Sequence, residues 1–202
     1  MMIVGLCALA ALLELDTAYV GQFMLSRPTM AGAILGYAAG DFMTGLQLGL
    51  FAELLFLDHV PVGGNVPPSG VFWTVSALVA ASIFSVPLPL AFFLGMLAGL
   101  LYSKLEIWLR SLRYNWSERI ESELDNGGCN LWKWVLKALA MQYFCGFALA
   151  LAASFAAGYT GAFLWQYMPR ALQSGMTVAY LSIPWIGLAM LMVNLYSRAR
   201  AK

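Results

Sequence analysis

Apolar residues run through this chain in blocks too long and too continuous for helices that meet water on one face. Val71 to Tyr102, Ala138 to Pro169 and Ala171 to Ser197 contain no charged side chain. A membrane-spanning helix needs only about twenty such residues. A first apolar run, Met1 to Leu13, continues past Glu14 and Asp16 through Ala18 to Leu25, which predicts one helix with carboxylates partway along it. Pro28 is placed to start a second helix, since proline is favoured at the first helical position. That second run reaches Leu57, interrupted only by Asp41 and Glu53. Thirty helical residues would extend roughly 45 Å, well beyond a hydrocarbon core of about 30 Å. Gly40-Asp41-Phe42-Met43-Thr44-Gly45 falls near the middle, so a break or re-entrant turn is predicted there.

Beyond this run, Asp58 to Gly70 contains three prolines and three glycines and reads as a structured Pro/Gly loop. Pro87 and Pro89 split the next block into a helical hairpin, about 71–102. Residues 103–137 turn polar and amphipathic, with a turn at Asn126-Gly127-Gly128 and tryptophans at 108, 116, 132 and 134 suited to a membrane interface. Two more spans are predicted at about 134–167 and 177–196, joined by a short turn with Arg170. The expected architecture is an all-α integral membrane protein of about six transmembrane segments, counting the broken second one once. It forms one membrane domain over 1–202, with a motif-bearing core to residue 70, an amphipathic loop at 103–137 and a C-terminal hairpin at 138–197.

Composition agrees with a bilayer as the main solvent: 61% of residues are hydrophobic and 10% charged, against about a quarter charged in soluble domains. The placement of charge adds topology. Up to Tyr102 the only lysine or arginine is Arg27, set against Glu14, Asp16, Asp41, Glu53 and Asp58, which excludes a nucleic-acid partner. Basic residues collect between Lys104 and Lys137 and at Arg198, Arg200 and Lys202. The positive-inside rule puts both regions, and the C-terminus, in the cytoplasm. The apolar N-terminus has no basic flank before it, and acids follow where a cleavage site would be, so it reads as a retained helix. Cys7, Cys129 and Cys145 lack metal-ligand spacing and read as packing residues.

The polar interruptions carry the candidate chemistry. Gly32, Gly36 and Gly40, then Gly45 and Gly49, then Gly95 and Gly99, recur at four-residue steps, a spacing that favours close helix packing over direct substrate contact. Glu53 follows Gly45 and Gly49 in the same step. An intramembrane carboxylate costs at least about 2.5 kcal/mol unless paired, protonated or wet, so Glu53 either lines a polar pathway or makes a structural hydrogen bond. Asp41, just after a glycine, is equally an intramembrane functional group or a helix N-cap. Glu14 and Asp16 line a cavity or sit near an interface. Gln22 and Gln47 are amides suited to sugar hydroxyls. His59, the only histidine, stands in the Pro/Gly loop without a second ligand, so no metal or cofactor is implied. There is no P-loop, dinucleotide fingerprint or nucleophile elbow, and an intramembrane enzyme lacks its nucleophile and base.

Ser26-Arg27-Pro28, Gly36, Gly40-Asp41, Thr44-Gly45, Glu53-Leu54, Gly63 and Pro68, in this order over about 13–77, resemble the IIC subunit of the mannose/fructose/sorbose family of the bacterial phosphotransferase system. The resemblance implies an all-helical permease subunit in the bacterial inner membrane. It also implies pairing with a IID membrane subunit, usually in a trimeric assembly. Phosphate would come from histidines of soluble IIA and IIB carriers, so the chain is not catalytic alone. On this reading Glu53, Asn65, Gln47, Gln22 and Asp41 bind the hydroxyls of a hexose or amino sugar. The chain departs from the family pattern at Ser69, where members often carry an acid, at Pro61, near an asparagine position, and in its shorter C-terminus. These departures motivate a second reading, a non-transporting membrane scaffold or regulatory subunit of the same fold.

Overall fold

The computed structural model describes residues 1–17, 19–56, 66–125 and 130–200. The Pro/Gly loop with Asn65 and His59, and the turn at 126–129 with Cys129, lie outside the described residues. Those described form eight helices: α1 Met2–Leu15, α2 Pro28–Ala39, α3 Phe42–Leu55, α4 Gly70–Ser82, α5 Leu88–Tyr114, α6 Ser117–Asp125, α7 Leu131–Tyr167 and α8 Arg170–Arg200. Leu88–Asp125, Leu131–Tyr167 and Arg170–Tyr196 are long and apolar enough to cross a membrane. α1, α3 and α4 are shorter apolar helices, so the all-α membrane architecture combines three long segments with short ones.

α4 is the axis of the bundle. Every residue from Gly70 to Ala80 is buried, which accounts for the absence of a polar face in its sequence, since a helix apolar all round is a helix packed all round. α1, α2, α3, α5 and α7 all pack on it. The indole N–H of Trp73 donates to the carbonyl of Phe92 at 2.8 Å, tying α4 to α5. Around that bond Phe51, Phe92 and Tyr180 bring α3, α5 and α8 together, with Tyr180 centred 5.0 Å from Phe51 and 5.4 Å from Phe92. α7 meets the bundle through small residues. Gly158 lies under the Phe84 ring and Gly146 under that of Phe72, while Ala150 and Ser154 are fully buried and the hydroxyl of Ser154 lies 3.7 Å from the Cys7 thiol of α1.

One expectation needs correction. The single helix predicted from Met1 to Leu25 does not form, because α1 stops at Leu15 and Asp16 caps it. The Asp16 carboxylate then accepts the backbone N–H groups of Phe23, at 2.7 Å, Leu25, at 2.7 Å, and Ser26, at 3.3 Å. An acid that looks like an interruption of a helix is therefore its terminator and the organiser of the turn beyond it. Within residues 103–137, read as amphipathic, part of the chain is buried. α5 continues without a break to Tyr114, and Glu106 on it is 3% exposed.

The break predicted at Gly40-Asp41 is present and complete. Gly40 takes a left-handed conformation at φ 77°, ending α2 with its N–H on the carbonyls of Gly36 and Tyr37, a conformation that glycine adopts without a Cβ penalty. Asp41 then caps α3, its carboxylate accepting the N–H of Thr44 at 3.3 Å. The two helices fold back on each other as a hairpin. Their glycine stripes form the contact: Gly32 against Gly45 and Gly49, Gly36 against Gly45, and Gly49 against the carbonyl of Pro28. The tip reaches the Ser82 end of α4, where the Ser82 hydroxyl lies 3.5 Å from Asp41. The open end returns to the Gly70 end of α4, where Pro28 packs on Gly70. Arms of 12 and 14 residues span only about 18–21 Å at about 1.5 Å each, short of a hydrocarbon core of about 30 Å, so neither arm crosses it alone.

Candidate functional site

Polar groups inside this apolar bundle gather along the hairpin and at its open end. At the open end Glu53, near the last turn of α3, accepts the backbone N–H of Thr29 at 3.1 Å. The side chain of Arg27 lies 3.6 Å from the other carboxylate oxygen. Glu53 thereby serves an unpaired donor in the first turn of α2, the place where a helix dipole favours negative charge. It keeps a quarter of its side chain exposed, and Arg27 more than half. The pair is open to a ligand and its attraction is weakened by solvent.

Asp41 is held at the opposite end. Twelve residues separate it from Glu53, about 18 Å along a helix, so the two carboxylates cannot act on one small molecule together while α3 is intact. Gln47, between them, is half-buried. Lying two residues from Gly45, at about 100° each it points away from the glycine contact. Gln22 lies in the segment between α1 and α2 at φ 56° and is exposed. The structure thus places Glu53 with Arg27 at the open end and Asp41 at the tip, and it distributes Gln47 and Gln22 between different faces. Asn65 lies outside the described residues.

A second polar group was marked in the sequence by Glu14 alone, without its partners. The hydroxyl of Ser69 donates to Glu14 at 2.7 Å, both residues being buried, and Ser69 also receives the N–H of Phe72 as the cap of α4. Close by, Glu106 of α5 is the hub of a larger network. Its carboxylate accepts from the Tyr19 hydroxyl, from Arg110 at 2.8 Å, from Arg113 at 3.2 Å and from the amide of Gln142. Gln142, on α7, also donates to the Tyr102 hydroxyl at 2.6 Å and accepts from Arg113 at 2.9 Å. Three donors on one carboxylate oxygen and one on the other leave both paired, which is how a charged group is kept in an apolar interior. For Glu106 the only signal available beforehand was its i, i+4 pair with Arg110, which on an amphipathic stretch reads as an ordinary surface pair.

The geometry that results is a bundle with a broken, folded-back hairpin, a carboxylate and an arginine at its open end, and a satisfied polar network beside it. Comparison with known proteins gives this arrangement a family. No curated protein sequence matched the chain. Among the solved structures that share its fold are two membrane proteins. One, described only as a membrane protein, superposes with a TM-score of 0.79 at 19% identity, over 96% of this chain and 79% of the other. The other is the cryo-EM structure of the mannose transporter ManYZ in complex with microcin E492, with a TM-score of 0.64 at 20% identity, over 96% of this chain and 77% of the other. The family described as the sorbose-specific IIC component of the phosphotransferase system matches residues 1–200. The resemblance drawn from the motifs of the first third of the sequence therefore extends over nearly all of it, and the chain belongs to this family of sugar-transporting IIC components.

Proposed function

We propose that this protein forms the membrane path for a hexose or amino sugar in a phosphoenolpyruvate-dependent phosphotransferase system, together with a IID subunit. The observation that carries the reading is the folded-back α2–α3 hairpin. It brings helix ends, a left-handed glycine and two carboxylates to membrane depth, where irregular backbone is tolerated only against protein or a wet cavity. Glu53 and Arg27 at the open end offer an acceptor and a donor to sugar hydroxyls, and Asp41 offers a further acceptor at the tip. Gln47, Gln22 and Asn65 would add amide contacts, which suit hydroxyls because an amide both donates and accepts.

The tip and the open end receive the sugar in succession rather than at once, because α3 holds Asp41 and Glu53 apart. The chain itself contributes no phosphoryl carrier. Soluble IIA and IIB proteins deliver the phosphoryl group at the cytoplasmic face, which the basic residues of α5, α6 and the C-terminus mark by the positive-inside rule. In this reading the host is the bacterial inner membrane and the working assembly is a trimer with IID.

The test is phosphoenolpyruvate-dependent uptake of a panel of labelled hexoses and amino sugars by cells with and without this subunit, its IID, IIA and IIB partners being present in both. Uptake of at least one sugar is expected to require the subunit. Equal uptake without it, across the panel, would remove the transport role.

A further inference from the structure

The segment joining α1 to α2 is strained, and a buried network holds it. Within it Gly21, Gln22 and Met24 all have positive φ, of 78°, 56° and 66°. For the two residues that carry a side chain this conformation is strained, and it persists only where surrounding structure imposes it. Two anchors impose it. Asp16 gathers the N–H groups of Phe23, Leu25 and Ser26, a bond set internal to the segment. Tyr19 alone, among the described residues of the segment, reaches the network on the long helices. Its hydroxyl donates to Glu106 and accepts from Arg113 at 2.8 Å, and the Arg113 guanidinium lies over its ring at 5.1 Å.

Arg113 is in turn fixed by Gln142 of α7, so the chain Tyr19, Glu106, Arg113, Gln142 links the approach to the hairpin with both α5 and α7. Eight residues after Tyr19 comes Arg27, the partner of Glu53. We propose that Tyr19 is a positioning residue for transport. It docks the strained segment on the α5–α7 pair, and so sets where Arg27 stands at the open end of the hairpin. This proposal rests on the transport reading above for its consequence, but the docking itself is a property of the fold and is measured separately.

Satisfied polar networks of this kind define one arrangement sharply, because every alternative leaves buried groups unpaired. Removal of the Tyr19 hydroxyl by Tyr19→Phe keeps the ring over Arg113 and leaves Glu106 with its three remaining donors. The segment then loses its hydrogen bonds to the long helices while the bundle keeps its charge pairing. Hydrogen–deuterium exchange of the purified protein, wild type and Tyr19→Phe, reads this directly. Exchange is expected to rise several-fold in the peptide over 19–27, with protection of α4 and α7 unchanged.

In cells, the apparent KM for the transported sugar is expected to rise several-fold, more than the maximal rate falls. Unchanged exchange over 19–27 would overturn the docking role. Exchange raised throughout the bundle would overturn it too, making Tyr19 a general stabiliser of the fold. A local rise with no change in KM would overturn its link to the open end. Absence of sugar uptake by the wild-type protein would count against the transport reading alone, since the exchange comparison stands without it.

Discussion

Gly32 and Gly45 face each other across the α2–α3 hairpin so closely that a Cβ placed on either would run into the backbone carbonyl oxygen of the other. The contact is reciprocal and made of backbone on both sides, so no rotamer change can relieve an added methyl. Gly45 is the more confined, because its added Cβ would also lie 2.8 Å from the amide nitrogen of Gly36.

Gly45→Ala is therefore expected to push the arms apart and destabilise the protein by about 1–3 kcal/mol or more, the usual range for overpacking. Gly5 and Gly175 have nothing within 4 Å of the same position, so Gly5→Ala and Gly175→Ala are the matched controls. Thermal melting in detergent, followed by fluorescence-detected size exclusion, separates the three. A Gly45→Ala protein as stable as the controls would show that the arms are not in contact.

Asp41 caps α3 and is proposed to meet the sugar, two roles that two substitutions can divide. As the cap of α3, it is replaceable by Asn, which caps about as well, whereas Ala costs roughly 1 kcal/mol. As a group that meets sugar, it needs its charge. Asp41→Asn is expected to keep the melting temperature and lower uptake, while Asp41→Ala lowers both. Full uptake by Asp41→Asn would reduce the residue to a cap.

Glu53→Gln retains an oxygen to accept the N–H of Thr29 and loses the attraction to Arg27. Membrane assembly is expected to be intact and sugar uptake reduced roughly tenfold, equivalent to about 1.4 kcal/mol. Undiminished uptake by a stably assembled Glu53→Gln protein would leave Glu53 with the structural role only.

Ser69 and Glu14 share one buried hydrogen bond of 2.7 Å. Ser69→Ala strands the Glu14 carboxyl and should cost about 1–3 kcal/mol. Ser69→Asp should cost more, since it sets a second buried carboxylate against the first, and adding Glu14→Gln should recover part of the loss. Melting temperatures of the two single variants and the pair test this. An Asp at 69 that stabilises the protein would contradict the pairing.

Much of the fold was written in local patterns. Pro28, Gly40 and Asp41 each act on their own few residues, through a fixed φ, a left-handed φ and a short side-chain acceptor, so the start, the break and the restart of the hairpin could be read without knowing what packs where. The glycine repeat likewise announced a close helix contact. The length of the charge-free blocks announced a membrane, because a bilayer demands about twenty apolar residues in a row whatever they touch.

Tertiary structure alone decided the partners. The sequence offers the same letters for an exposed glutamate and for Glu106, yet the latter is buried because Tyr19 and Gln142, 87 and 36 residues away, supply the donors that make burial tolerable. Asp16 ends a helix rather than interrupting one because the chain turns back to present three amides to it. A carboxylate's cost depends on which donors surround it, and those arrive from distant parts of the chain. By itself, then, the sequence determined that this protein lies in a membrane and where its hairpin breaks. The fold decided that Asp41 and Glu53 stand at opposite ends of that hairpin, and that a tyrosine outside every helix ties its approach to the bundle.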